Sequence, residues 1–336
     1  MNQQREHCAT SSSSDFDSPV CPLCTLALTP RFAAIRDSVS HEEFSIATCP
    51  GCGLGVTIPV PENSRGYYDP DYHGGRHGAT AWFCDNRRAQ IVRNASRGSG
   101  MRRLLDIGCG DGTFLLRMQQ DGWSVTGVEQ TPDNARKAGI DVRESISGVA
   151  GDEPFDCITL WHVLEHLSEL HSTMVAIRGL LKKDGVVIIA VPDTNSVPAR
   201  FFGKWWFHLD VPRHLYHFQE KSLTALLRGH GFATMRARRT EFEYDLMGWG
   251  QSALNYFFRE PNIFFKVLTG KQLRTRRWTC ALHVVLGTFF CGLGLLPAGI
   301  SSLLGHGGTL IMIARSRIPS GEPSSSEASG NGSNDV

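Results

Sequence analysis

Three groups of residues have types and spacings suited to chemistry. The first is Leu104-Leu105-Asp106-Ile107-Gly108-Cys109-Gly110-Asp111-Gly112-Thr113-Phe114. An apolar run stops at three alternating glycines, and a helical apolar pattern (Phe114, Leu115, Met118) follows. This predicts strand, tight turn and helix, with the backbone free to approach a ligand and the helix N–H groups facing it. The dinucleotide turn G-x-G-x-x-G needs its third glycine at 113, where this chain has threonine. Glu129 lies 21 positions beyond Gly108, at the end of a second predicted strand. A carboxylate there can accept hydrogen bonds from ribose hydroxyls. The second group is Cys21-Pro-Leu-Cys24 and Cys49-Pro-Gly-Cys52, 24 residues apart. Four thiolates at such spacing suit a structural tetrahedral Zn²⁺ that folds a small module; free thiols or a redox pair are the alternatives. The third group is a set of histidines, His162, His166, His208, His214 and His217, in segments following the fourth and fifth strands. Imidazole titrates near neutrality and is a common proton acceptor.

The elements that must position these groups follow from periodicity. Strands are predicted at 103–107, 123–128, 140–143, 155–160, 185–191, 232–239 and 308–315. Helices are predicted at 81–95, 112–121, 132–138, 169–182 and 219–230. Alternating strands and helices imply parallel βαβ units in one sheet. Ligands of open α/β sheets bind at the carboxyl ends of the strands, where the glycine turn and the histidines fall. The expected organisation is a disordered 1–18, a zinc-ribbon module at 19–60, a connector with a helix at 61–100, a principal domain at 101–316 and a disordered tail at 317–336. His73 and His77 of the connector read as surface or cleft residues.

The 336 residues carry a net charge of +1. Without a basic field, nucleic acid is a disfavoured partner. Residues 1–20 are polar with no apolar core, so no secretory signal is expected. Ten cysteines without an export signal point to a reducing, cytoplasmic setting.

The order of these motifs resembles the class I S-adenosylmethionine (SAM) methyltransferases of the ubiquinone-biosynthesis O-methyltransferase-like group. Asp106–Gly112 resembles their first motif, and Val128-Glu129 the end of the second. Phe155–Thr159 with His162-Val163-Leu164-Glu165-His166-Leu167 resembles the fourth-strand motif. Leu180–Gly185 with Val191-Pro192 resembles the fifth. The cysteine module, followed by Tyr67-Tyr68-Asp69-Pro70-Asp71-Tyr72, is similar to the zinc-ribbon leader of a subgroup linked with sugars, glycolipids and other small metabolites. The resemblance implies a Rossmann-like seven-stranded sheet, mostly parallel, with one antiparallel strand. It implies SAM contacts from Asp106, Gly108, Cys109, Gly110, Gly112, Glu129, Gln130, Trp161 and His162. Many relatives carry an acid where this chain has His162, which puts a metal-assisted role there in doubt. No Asn/Asp-Pro-Pro-Tyr follows the fourth strand and no cysteine directly follows Pro192, which within this resemblance disfavours base-amine and cytosine-C5 methylation.

Methyl transfer to oxygen needs a held nucleophile and a base. His214 is the first candidate, with His166 and His162 beside it; His214 and His217 could instead be structural hydrogen-bonders. Arg213 either binds an acceptor phosphate or carboxylate or pairs with Asp210. The implied function is methylation of a small or lipid-linked metabolite. The alternatives are RNA methylation and a membrane-peripheral SAM-fold binding protein without catalysis.

Residues 243–305 interrupt the alternation. Within them, Cys280–Leu304 is a 25-residue run without Asp, Glu, Lys or Arg. It follows a basic stretch containing Arg259, Lys266, Lys271, Arg274, Arg276 and Arg277. Basic-then-apolar composition suits an anionic membrane surface, so peripheral contact through 259–304 is expected. Pro297 and several glycines predict two short pieces, a helical hairpin dipping into one leaflet. A buried cleft cap, a dimer interface or a true span are the other readings.

Overall fold

The computed structural model describes residues 19–61, 64–67, 79–96, 100, 102–239, 241–270 and 275–316. The predicted disordered ends, His73, His77 and Tyr68–Tyr72 lie outside these residues.

Seven strands form the central sheet: β4 (Arg103–Ile107), β5 (Ser124–Val128), β6 (Val142–Arg143), β7 (Phe155–Trp161), β8 (Leu181–Pro192), β10 (Phe232–Arg238) and β11 (Thr309–Ser316). Their order is β10-β11-β8-β7-β4-β5-β6. Neighbours from β8 to β6 are parallel, and β11 runs antiparallel to both β8 and β10. Every residue of β7 is buried, as expected of a parallel strand covered on both faces. Helices α2 (Thr113–Gln120), α3 (Asp133–Lys137), α4 (Leu170–Leu180) and α6 (Glu220–Gly229) connect the strands, and α1 (Ala79–Ala95) packs on α2. The third sheet strand is shorter than the predicted 140–143, because the Ile140 N–H is held in a turn by the Ala135 carbonyl.

A second sheet links the cysteine segment to the histidines. Its strands are β1 (Thr29–Arg36), β2 (Glu43–Thr48), β3 (Gly55–Ile58) and β9 (Tyr216–His217), all antiparallel in that order. The pairs Gly55–His217 and Val56–Tyr216 join residues too distant in sequence for any spacing pattern to anticipate.

The apolar insertion departs from the predicted broken hairpin. Residues 277–303 form one continuous helix, α9 (Arg277–Leu303), with Pro297 inside it. It packs antiparallel along α7 (Phe242–Phe257), as the Gly294–Trp249 and Gly250–Cys291 approaches show. The small residues are the packing face. A Cβ on Gly287 would stand 2.5 Å from Phe264, and one on Gly294 2.9 Å from Trp249. Proline removes one N–H, and the many close contacts with α7 hold the helix across that loss.

Candidate active site

The three glycines of the turn have separate jobs. A Cβ on Gly108, at φ +74°, would lie 2.3 Å from the Val163 side chain. The turn therefore packs directly on the loop that follows β7. Gly112 faces Ala135 and Ile140 of the α3 region. A Cβ on Gly110, at φ +58°, meets nothing within 4 Å, so this glycine borders open space. Its N–H donates to Glu129 Oε2 at 3.0 Å, and the Thr131 N–H donates to Oε1 at 3.3 Å. Glu129 is thus fixed beside the open side of the turn, with lone pairs left for further donors. Asp106 plays a different part: it is buried and accepts from Thr159 Oγ1 at 2.6 Å, tying β4 to β7 beneath the turn. Cys109 is buried against Gly127, and Gln130 is exposed.

Trp161 closes β7. Its ring lies edge-on to Phe114 and under the Arg88 guanidinium, 4.9 Å away. The next residue, His162, has φ +58°, a sparsely populated conformation for a side-chain-bearing residue that is held only by surrounding contacts. Those contacts are visible. His162 Nε2 lies 2.7 Å from Glu241 Oε2, its Nδ1 lies 3.6 Å from Glu165 Oε1, and its ring stacks on Tyr244 at 4.9 Å. Burial opposes a charged imidazole, but Glu241 and Glu165 outweigh it and raise the pKa to about 10. Glu241 is itself buried and bonded to Arg87. Burial pushes its carboxyl up, yet His162 and the arginines Arg87 and Arg88 hold it far below the usual range. His162 is therefore a fixed cation near neutral pH and cannot accept a proton there.

The remaining histidines divide by what their ring nitrogens touch. His217 is buried, lies 2.9 Å from Thr57 Oγ1 and is pushed by burial down to about 3. It is a structural joint between β3 and β9. His208 is pushed to about 4 by burial and then by His162. His166 Nδ1 donates to the Arg213 carbonyl at 3.0 Å, and burial followed by His214 brings it to about 4. His214 Nδ1 donates to the His208 carbonyl at 2.9 Å, which leaves Nε2 as the acceptor nitrogen, 3.9 Å from Glu165 Oε1. The His166 and His214 rings meet edge to face at 4.6 Å. Glu165 is 1% exposed, and neither carboxylate oxygen has a hydrogen-bond partner among the described residues. Burial raises its carboxyl, but the facing histidines, His162 first, bring it below the ordinary range. One ligand atom each of Glu165, His166 and His214 lie within 4.8 Å of one another. Such a set places a buried carboxylate beside two imidazoles, and its donor types also suit a divalent cation.

Arg213 settles on the ion-pair reading. It is 3% exposed, with Nη1 2.8 Å from Asp37 and Nη2 2.6 Å from Asp210. It anchors the 208–214 loop to the cysteine module. Thr57 Oγ1 donates to the His214 carbonyl at 2.6 Å, so that module also holds the backbone of the candidate base. The cysteine sulfurs are paired at 3.6 Å (Cys21–Cys52) and 3.2 Å (Cys24–Cys49), and all four lie within 4.8 Å. These separations exceed an S–S bond of about 2.05 Å and approach the ~3.8 Å sulfur spacing of a tetrahedral site with ~2.3 Å metal–sulfur bonds. The four cysteines could hold a metal ion. The sequence reading missed Arg87, Glu241 and Tyr244. Glu241 is 79 positions from His162, and no local pattern marks it.

Residues 80–237 match the family model described as a methyltransferase domain. A Geobacillus protein named as a methyltransferase is 29% identical over 154 residues, 39% of this chain and 62% of that protein. The ubiquinone biosynthesis O-methyltransferase of Xanthomonas euvesicatoria is 27% identical, covering 38% of this chain and 62% of the relative. That of Maricaulis maris is 30% identical, covering 35% and 52%. The chain thus spans less than two thirds of the length of these curated relatives. Among solved structures, a SAM-dependent methyltransferase from Archaeoglobus fulgidus aligns with a TM-score of 0.44 and 18% identity, over 71% of this chain and 95% of that one.

Proposed function

We propose that this chain, whose residues 80–237 match the methyltransferase domain, is a class I SAM-dependent methyltransferase acting on a hydroxyl of a small or lipid-linked metabolite, a sugar, glycolipid or quinone-like compound. The observation that carries the reading is the contact between Gly108 and Val163. It sets the ligand turn directly against the loop bearing His162, Glu165 and His166, with His214 facing them.

The residues fit SAM. Gly110 leaves the space open, and Glu129 presents a positioned carboxylate for ribose hydroxyls. SAM, when bound, supplies an electrophilic methyl on a sulfonium. An acceptor hydroxyl held in line with that methyl would be the nucleophile, with the thioether as the leaving group. His214 Nε2 takes the hydroxyl proton. The buried Glu165 carboxylate, 3.9 Å away, stabilises the imidazolium that results, and the His208 carbonyl keeps the tautomer that leaves Nε2 open. His162, charged and held by Glu241, orients Glu165 and adds a positive wall. Rate enhancement rests mainly on proximity and alignment.

In the same reading, Cys21, Cys24, Cys49 and Cys52 hold a structural zinc in the 19–60 module, and 101–316 is the methyltransferase domain. The protein works at the cytoplasmic face of a membrane, with contact through 259–304. Support comes from α9, the one helix among the described residues long and apolar enough to cross a membrane, with only 17% of its most apolar window buried. Trp278, Leu282, Val285, Phe289, Leu293 and Leu296 are exposed along it, at helical spacing on one stripe of a 27-residue helix that is about 40 Å long. An interfacial helix shows this composition beside basic residues.

Labelled-methyl SAM with a metabolite extract tests the activity. Label should appear in a product with wild type and fall about 10²–10⁴-fold with His214→Gln, while SAM affinity stays unchanged. Transfer at wild-type rate by His214→Gln would overturn the base assignment, and absence of SAM binding would overturn the whole reading. Flotation with anionic vesicles tests the surface: wild type should float and Val285→Ser/Phe289→Ser/Leu293→Ser should not. Equal flotation of the two proteins would remove α9 from the contact.

A further inference from the structure

A cavity of about 820 Å³ lies apart from the glycine turn, walled by β1, by residues 204–213 and by residues 255–262. That volume is in the range that encloses a small ligand. Trp205 and Tyr256 form its aromatic wall, edge to face at 4.8 Å. Arg36, Lys204 and Arg259 also line it. Among the described residues, neither Lys204 nor Arg259 has a carboxylate within ion-pair distance. The Lys204 ammonium lies 5.3 Å from the centre of the Trp205 ring. Arg36 reaches Glu260 at 3.9 Å with both side chains substantially exposed, a weak pair. Of the acids in the wall, Asp210 is taken up by Arg213 at 2.6 Å, and Glu43 remains. The interior is thus cationic with an aromatic floor, and the 208–214 loop that forms one wall also carries His214.

The wall of this cavity continues into apolar surface. Phe257 stacks on Phe290 of α9 at 5.7 Å, and Phe290 meets Phe289 at 5.6 Å. Tyr256, Phe257 and Phe289 are each more than half exposed. They join the cavity to the exposed stripe of α9. A cationic pocket that opens onto aromatic and aliphatic side chains matches a molecule with a phosphate at one end and hydrocarbon at the other. Arginine and lysine together provide charge-assisted hydrogen bonds to phosphate oxygens.

We propose that this cavity binds the phosphate or diphosphate end of an anionic amphiphile, whose apolar chain leaves over Tyr256, Phe257 and Phe289 onto α9. The inference deepens the lipid-linked acceptor reading, since the amphiphile would be the carrier of the methyl acceptor. The binding itself does not depend on methyl transfer.

Calorimetry on the full chain with decyl phosphate below its micellar concentration tests this, with inorganic phosphate and decyl glucoside as the comparison ligands. Wild type should bind decyl phosphate more tightly than either. Lys204→Ala/Arg259→Ala should weaken it about tenfold or more, and Phe257→Ser/Phe289→Ser should weaken it while leaving inorganic phosphate unaffected. SAM affinity, measured in the same samples, should be unchanged in both variants and shows that they fold. Equal binding of decyl phosphate by the cation variant and wild type would overturn the proposal. So would decyl glucoside binding as tightly as decyl phosphate. Inorganic phosphate binding as tightly as decyl phosphate would make this a free-phosphate site and overturn the amphiphile. Loss of SAM binding in wild type with decyl phosphate binding intact would refute the methyltransferase reading and leave this one standing.

Discussion

Replacing Glu241 by Gln should destabilise the protein in a pH-dependent way. Glu241 is fully buried, 2.7 Å from His162 Nε2 and bonded to Arg87. Removing one partner of a buried pair leaves the other charge uncompensated, at a cost of about 3–5 kcal/mol. The His162 shift offers a second route to the same size. A pKa raised from 6.5 to about 10 corresponds to at most about 5 kcal/mol of linked stability. The folded value lies above the unfolded one, so this stability is fully present below pH 6.5 and is lost as pH rises through about 10. Urea unfolding of wild type and Glu241→Gln at a series of pH values from 6 to 10.5 reads the difference directly, because other titrating groups contribute equally to both. The gap in unfolding free energy should be largest near pH 6 and shrink steadily from about pH 6.5 to about pH 10, leaving the part due to Arg87. A gap that is constant over this range would refute the claim that His162 is held as a cation by Glu241.

Other outcomes follow from the same geometry. Gly110→Arg should reduce SAM affinity at least a hundredfold by calorimetry, because the side chain enters the open space at a positive-φ position (+58°); unchanged affinity would remove the turn from the ligand site. Glu165→Gln should lower kcat by about 10²–10³ with little change in SAM Kd, since a charge 3.9 Å from His214 Nε2 is worth at most about 4 kcal/mol at an effective dielectric near 20. A fall in SAM affinity of the same size would assign Glu165 to cofactor binding instead. If the four cysteines hold the proposed metal, a chelator should increase hydrogen exchange at β3 and β9, loosening His217 and the His214 backbone bond to Thr57, while β4 and β5 stay protected. Uniform exchange changes, or none, would separate that centre from the histidines.

Much of the site was legible locally. The strand, turn and helix around Gly108–Gly112 depend on neighbouring residues, and their observed bounds fall within a residue or so of the predicted ones. The cysteine spacing likewise brings four sulfurs together. The insertion was misread because Pro297 and the glycines were weighed by their intrinsic helix cost. That cost is about 1 kcal/mol for glycine and 3 for proline, and close packing on α7 and Phe264 offsets it. The charge states of the histidines were not legible at all. His162, His166, His208 and His217 have the same side chain, yet one is held near 10 and the others near 3 to 4.

Sequence by itself determined the alternation of elements, the glycine turn with its carboxylate, the cysteine cluster and the apolar segment. Each of these is a property of residues close in the chain, where spacing and periodicity act. Tertiary structure alone decided that Glu241 and Arg87 surround His162, that Asp37 takes Arg213, and that β3 pairs with β9. It also decided that α9 is one helix whose exposed stripe runs beside a cationic cavity. Electrostatic partnership depends on distance in space and on burial, and neither is a function of separation along the chain.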